Sequence, residues 1–163
     1  MKKLISLVAF LSVAATLLVF AATNATANMG VMAMDAWVRA VPPTAQNSAA
    51  YMMLKNGGEK AVTLVSATTD VAKTVEIHEV VKSGGMMEMR PLKNGLEIAA
   101  GKSVMLKPGG YHIMLIGLTG KLMEGQQVDL MLKFSDGSEV KVSAPVKKGE
   151  AMKMGHKKMG EMK

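Results

Sequence analysis

Apolar residues in this chain come in short runs that are separated by turn residues. Gly, Pro, Asn and Asp fill the breaks, as in Asn56-Gly57-Gly58, Pro108-Gly109-Gly110 and Asp136-Gly137. No long run follows the period of a helix, so the pattern predicts an all-β fold, an antiparallel sandwich or barrel. The predicted strands are Met34–Val38, Ala49–Leu54, Ala61–Ala67, Thr74–Val81, Met86–Met89, Ser103–Leu106, Tyr111–Leu118, Gln127–Phe134 and Glu139–Val146.

The pattern changes at the N-terminus. Lys2 and Lys3 precede the apolar stretch Leu4–Ala22, and the small residues Ala25-Thr26-Ala27 follow it. This order is typical of a secretory signal peptide, so we expect residues 1–27 to be cleaved near Ala27 and the protein to be exported without a membrane attachment. A retained membrane anchor is the alternative, because the apolar stretch approaches the length of a spanning helix.

The pattern changes again at the C-terminus, where residues 147–163 read KKGEAMKMGHKKMGEMK. So much charge and so few branched apolar residues predict a flexible tail. Residues 28–146 are then enough for one domain with a core of its own and too few for two.

The formal net charge of +7 is unevenly distributed. Residues 1–27 carry +2, residues 147–163 carry +4 from six Lys and two Glu, and the remaining body carries +1. Arg39 and Arg90 are the only arginines, and aromatic residues are scarce. A nucleic-acid partner is therefore not expected, since it needs a basic face with Arg or aromatic side chains.

Cysteine is absent, which excludes disulfides, thiolate metal sites and a blue-copper centre. The sequence also lacks G-x-S-x-G, H-E-x-x-H, Walker and G-x-G-x-x-G motifs. We therefore expect a protein that is not an enzyme.

Histidine and methionine supply the candidate chemistry, with 17 Met against three His in the chain. His112 and Met114 are two residues apart in a predicted strand, so they share a face with Cα atoms about 6.6 Å apart. Met87 and Met89 share a face in the same way. His78 lies in TVEIHEVV, where alternation places Glu76 and His78 on one side of the strand.

These ligand types favour Cu(I). Thioether sulfur is a soft, neutral donor that suits Mg²⁺, Ca²⁺ or Zn²⁺ poorly, and imidazole is intermediate. Outside the cytoplasm a thioether also keeps its ligand character where a thiol is open to oxidation. The alternative is a metal-free structural sandwich in which the methionines fill the core and the histidines make ordinary hydrogen bonds.

A longer stretch resembles a known family. HEVVKSGGMMEMRPLKNGLEIAAGKSVMLKPGGYHIMLIGL, His78–Leu118, is similar to the signature of the periplasmic copper chaperones called PCu(A)C: a His, a Met after ten residues, and H-x-M after about twenty-one more. Here ten residues separate His78 from Met89, and His112-Ile113-Met114 supplies the H-x-M. DAWVRAVPPTAQNSAAYMML, Asp35–Leu54, also resembles the first strands of that family.

The resemblance implies a cupredoxin-like, immunoglobulin-like β-sandwich in the periplasm. It implies a shallow Cu(I) site formed by His78, Met89, His112 and Met114, and delivery to a copper acceptor, either the Cu(A) subunit of a haem-copper oxidase or another assembly chaperone. A protein that sequesters copper without delivering it is the alternative. One departure is that 22 residues, not 21, separate Met89 from His112; unless the loop after Leu92 absorbs the extra residue, Met87 is a rival ligand.

The tail contains further donors: Met152, Met154, His156, Met159 and Met162. They could form an auxiliary copper-capturing arm, which could take Cu(II) through His156. The alternative is a solubilising lysine tail with incidental methionines.

Overall fold

The computed structural model describes residues 30–149. The predicted signal peptide and residues 150–163 of the predicted tail lie outside the described residues, whereas Lys147, the first residue of that predicted tail, belongs to the last strand. Ten strands occupy the described range: β1 Val31–Arg39, β2 Asn47–Asn56, β3 Val62–Thr68, β4 Ala72–Ser83, β5 Met86–Pro91, β6 Leu96–Ile98, β7 Ser103–Leu106, β8 His112–Leu118, β9 Gln127–Phe134 and β10 Glu139–Lys147.

Nine of these strands match the apolar runs of the sequence, and β6 is the one that the pattern missed. It contains only Leu96, Glu97 and Ile98, too few residues for an alternation to stand out from a loop. The predicted last hairpin is confirmed, because β9 and β10 pair through the turn in which the Gly137 N–H donates to the Phe134 carbonyl.

The strands follow one path, β5-β4-β8-β2-β1-β10-β9-β3-β6, with β7 also paired to β2. Among these strands only β1 and β10 pair in parallel, through Val38↔Val146 and Arg39↔Lys147. The path folds back on itself, since β3 contacts β4 and β2 contacts β6. The result is a sandwich with β5-β4-β8-β2-β1 in one layer and β10-β9-β3-β6 in the other, which confirms the predicted fold class.

A single core lies between the layers. Ile113 and Leu115 of β8 are fully buried, as are Leu130, Leu132 and Phe134 of β9 in the opposite layer. Because side chains alternate along a strand, His112 and Met114 point to the other side of β8. We call this side, the surface of the β5-β4-β8-β2-β1 layer that faces away from the core, the outer face.

An irregularity in β1 adds two side chains to the outer face. The register with β2 shifts between Met34 and Trp37, and Asp35 has a positive φ of 53°. Asp tolerates this left-handed conformation better than most residues. The extra residue lets Met34 and Trp37, which an unbroken strand would place on opposite faces, both lie on the outer face.

The turn after β5 leads the chain across to the other layer, where β6 pairs with β3. Gly95 closes this turn with φ 76°, and a Cβ at that position would collide with the carbonyl oxygen of Leu64. The β4–β5 and β4–β8 registers on either side of this segment are continuous. As for membrane crossing, no helix within residues 30–149 is both long enough and apolar enough to span a bilayer.

Candidate metal centre

Strand β4 brings the two body histidines together, because it lies between β5 and β8. His78 is directly opposite His112 in the β4–β8 register, and Glu76 is opposite Met114. On the other edge of β4, Val80 is opposite Met89. Residues opposite each other in a sheet share a face, so all four predicted ligands lie on the outer face.

His78 has one ring nitrogen engaged and the other free. Its Nε2 lies 2.7 Å from Oε2 of Glu76, and since an ionised carboxylate only accepts hydrogen bonds, Nε2 carries the proton. The Nδ1 atom is buried and has no hydrogen-bond partner among the described residues. A buried polar atom without a partner is costly, and the lone pair on Nδ1 is in the form that binds a metal.

His112 shows the complementary arrangement. Its Nδ1 lies 3.1 Å from the carbonyl oxygen of Gly110, which fixes the proton on Nδ1 and leaves a lone pair on Nε2. The residue is only 4% exposed. Burial lowers the pKa of His112, and electrostatic repulsion by Arg39, and by His78 whenever it is protonated, lowers it further, against the opposing effect of the Gly110 hydrogen bond. The imidazole is therefore held in its neutral, metal-binding form.

Three of the four predicted ligands, Met89, His112 and Met114, line a hollow of about 240 Å³ on the outer face, and His78 does not line it. Met114 is half-buried, whereas Met89 is 61% exposed at the edge of the layer. The hollow is thus shallow and open on the β5 side. The rings of His78 and His112 have their centroids 5.7 Å apart.

The register separates the two rival methionines of β5. Met89 is a diagonal neighbour of His78, at a typical separation of about 7–8 Å, within reach of a long side chain. Met87 is opposite Lys82, four residues along β4 from His78, which corresponds to about 13 Å. Met89 lines the hollow and Met87 does not. The extra residue before His112 has therefore not brought Met87 to the hollow in place of Met89.

An aromatic row, which the sequence pattern did not predict, runs from the hollow across the layer. The ring of Tyr51 lies 6.4 Å from His112 and 4.6 Å from Trp37, measured between centroids. The guanidinium of Arg39 lies 5.4 Å from the centre of the Tyr51 ring. Alternation in AWVRA and AAYMM could have shown which residues share a face, but only the register between strands shows that they meet.

Burial raises the pKa of the Tyr51 phenol, although Arg39 opposes this effect. Tyr51 therefore remains neutral, and it covers one side of His112 without adding an anionic ligand. Across residues 30–149, no three His, Cys, Asp or Glu side chains form a group that could hold a metal ion.

The described chain ends beside this site. A Cβ on Gly149 would lie 3.4 Å from Nε of Arg39. Gly149 and Arg39 also line a wider cavity of about 1110 Å³ next to the hollow, together with Trp37 and Lys107. The tail donors Met152, Met154, His156, Met159 and Met162 lie outside the described residues, but the chain leaves the described body next to the predicted metal site.

Comparison with known proteins gives the family. A family model described as "Putative lipoprotein LpqE-like" matches residues 31–146. The chain belongs to this LpqE-like family. One relative is "Putative lipoprotein Lxx21020" of Leifsonia xyli subsp. xyli. It is 41% identical over 118 residues, which are 72% of this chain and 70% of that protein.

Solved structures agree with this membership. The Cu(I) form of DR1885 from Deinococcus radiodurans has a TM-score of 0.61 and 35% identity, and the match covers 77% of this chain and 85% of that one. The apo PCuAC domain of PmoF1 also has a TM-score of 0.61, at 20% identity over 72% of this chain and 93% of that one. The second match shows the fold alone. The family model and the DR1885 match confirm the resemblance to the PCu(A)C family that residues 78–118 indicated, and the PmoF1 match adds the shared fold.

Proposed function

We propose that this protein is a copper chaperone that binds Cu(I) on its outer face through His78, Met89, His112 and Met114, and that it is not an enzyme. The observation that carries the proposal is the pair of opposed histidines. Each has one ring nitrogen fixed by a protein acceptor and the other left with its lone pair. Thioethers from two flanking strands lie on the same face.

The donor set suits Cu(I) better than a harder ion. Two imidazoles and two thioethers are neutral and soft or borderline, and the Glu76 carboxylate is engaged by His78 as an outer partner. A carboxylate that accepts a hydrogen bond from a ligating histidine orients the ring and makes its other nitrogen a better metal ligand. The Cu(I) form of a 35% identical structure supports the same choice of ion.

The shallow position of the site suits transfer. A neutral ligand set leaves the charge of Cu(I) uncompensated, so an acceptor with thiolate ligands would bind the ion more tightly. Exposed Met89 at the layer edge is the ligand that such an acceptor could replace first. We propose that the acceptor is the Cu(A) subunit of a haem-copper oxidase or another assembly chaperone, and that transfer takes place in the periplasm after export. The lipoprotein family is compatible with export.

The binding site can be tested with the double variant His112→Ala, Met114→Ala. We expect tight Cu(I) binding to be lost in competition with a chromophoric chelator, because one imidazole and one thioether leave the set. Met131→Leu is the control, since Met131 lies on β9 in the other layer, opposite Lys141 and Thr68. Circular dichroism checks that the fold is kept, and an unchanged affinity in the folded double variant would refute the site.

Delivery and sequestration can be separated in cells. Loss of a delivery protein should impair oxidase activity at low copper, and copper supplementation should restore it. Loss of a sequestering protein should instead raise copper sensitivity and leave the oxidase intact. The second result would be compatible with the proposed copper site but would refute delivery to an acceptor.

We further propose that the tail donors, His156 with Met152, Met154, Met159 and Met162, form an arm that captures copper for this site. The support is that Gly149 lies beside Arg39 at the edge of the hollow. The test is a chain that stops after Gly149. A stop after Val146 would remove Lys147, whose carbonyl accepts a 2.7 Å hydrogen bond from the Ala40 N–H. Copper stoichiometry equal to that of the full chain would refute the arm.

A further inference from the structure

Three methionines lie side by side on the outer face, away from the four proposed ligands. Met34 of β1 is opposite Met53 of β2, and Met53 is in turn opposite Met105 of β7. The three residues therefore form one row across three neighbouring strands, with Met53 in the middle. We call this row the methionine ladder.

Core packing does not account for the ladder. The neighbours that alternate with it, Leu54 and Leu106, are buried to within 1% and belong to the core. Met105 is 46% exposed, and Met34 and Met53 are half-buried. None of the three is among the buried core residues or the apolar residues packed against them. They lie on the outer face, where a branched or polar side chain is the usual choice for a strand.

The spacing of the ladder allows one ion to reach all three sulfurs. Neighbouring strands lie about 4.8 Å apart, so Met34 and Met105 are separated by roughly twice that distance across Met53. A methionine side chain has three rotatable bonds, so the side chains of Met34 and Met105 can lean toward that of Met53 between them. Three thioethers without a carboxylate form a soft, neutral set, which selects a soft monovalent ion.

The ladder lies one row from the proposed copper site. Met53 follows Tyr51 by two residues on the same face of β2, and the ring of Tyr51 is 6.4 Å from that of His112. Val80 also lies between the ladder and the main site. It lines both the hollow that contains His112 and a cleft of about 510 Å³ that Met105 lines as well. An ion on the ladder would thus lie close to the main site without sharing a ligand with it.

We propose that Met34, Met53 and Met105 form a second binding site for a soft monovalent ion, Cu(I) or its redox-silent substitute Ag(I). The ion is of the type proposed for the main site, but the two sites share no residue, so an experiment can refute either site without refuting the other. Lys55 is the next outer-face residue on β2, opposite Met32 and Ser103. Both sites have a cationic side chain nearby, Lys55 here and Arg39 at the main hollow, but the ladder has three thioethers and no imidazole, so it is weaker than the main site and fills after it.

The test is NMR of the full chain with ¹³C-labelled methionine methyl groups, titrated with Ag(I). We expect the methyl resonances of Met89 and Met114 to shift first, and those of Met34, Met53 and Met105 to shift together in a later phase. Met131, which has Lys141 and Thr68 opposite it and no thioether, is the internal control and should stay in place.

Met53→Leu removes the middle sulfur and preserves the size of the side chain. In this variant the later shifts of Met34 and Met105 should disappear, while those of Met89 and Met114 persist. The Met131→Leu variant should behave like the parent chain. The ladder is refuted if its three methyl groups do not move, if they move no more than that of Met131, or if Met34 and Met105 still shift in the Met53→Leu variant. If the proposed main site is wrong, the result is different: the methyl resonances of Met89 and Met114 do not shift.

Discussion

A histidine binds a metal through the ring nitrogen that its hydrogen bonds leave free, and here the two histidines use different nitrogens. Glu76 accepts a hydrogen bond from the Nε2–H of His78, which leaves the Nδ1 lone pair for the metal, whereas the Gly110 carbonyl accepts one from the Nδ1–H of His112, which leaves the Nε2 lone pair. The sequence placed Glu76 on the correct face of β4 but gave no reason to expect the contact. Side-chain rotamers and tautomers depend on neighbours that one strand does not specify.

Glu76→Ala should weaken Cu(I) binding without removing a ligand. His78 would lose the acceptor that fixes its tautomer, and losses of this kind typically reduce metal affinity by about 10-fold to 100-fold. Competition with a chelator measures the change. Glu79→Ala is the matched control, because it removes the same charge from the same strand on the opposite face. If the two variants lose the same Cu(I) affinity, Glu76 acts only through its negative charge and not through its hydrogen bond to His78.

His112 should make the stability of the metal-free protein depend on pH. Burial lowers its pKa in the folded state, so the unfolded chain binds the proton more readily, with a pKa of about 6.5. The stabilisation is fully present above that value and is lost as the pH falls below it toward the folded pKa. Urea unfolding at pH 5 to 8 measures this fall. His112→Asn should flatten it, and an unchanged slope in that variant would contradict the assignment.

At the scale of the elements, β4 organises the site because it pairs with β5 on one edge and β8 on the other. The sequence predicted all three strands, and alternation along each gave the residues that share its face. It could not give the registers, and a slip of one residue would have turned an entire strand over. The choice between Met87 and Met89 was open for this reason.

Comparing Met89→Leu with Met87→Leu tests the β4–β5 register directly. The two side chains are almost equally exposed, at 61% and 62%, and both changes keep an apolar residue of similar size. We expect Met89→Leu to reduce Cu(I) affinity and Met87→Leu to leave it unchanged, because only Met89 lines the hollow. The reverse result in a chelator competition would mean that β5 presents Met87 to the ion.

For the molecule as a whole, the fold could be predicted from the sequence, but the contacts between side chains of different strands could not. Nine runs with turn residues between them predicted an antiparallel sandwich or barrel, the family resemblance favoured the sandwich, and only the three-residue strand β6 was missed. The row from Trp37 through Tyr51 to His112 depends on three strands meeting in register, one of them shifted by the irregularity at Asp35. Contacts of this kind join residues far apart in sequence, and local patterns do not encode them.

One Cu(I) ion bound between His78 and His112, as proposed, would coordinate a ring nitrogen of each residue, and ¹⁵N-histidine NMR detects this coordination. The full chain has only three histidines, so each ring can be followed when one equivalent of Cu(I) is added. We expect a coordination shift at Nδ1 of His78 and at Nε2 of His112. Shifts confined to His156, with the rings of His78 and His112 unchanged, would rule out a copper site between these two residues.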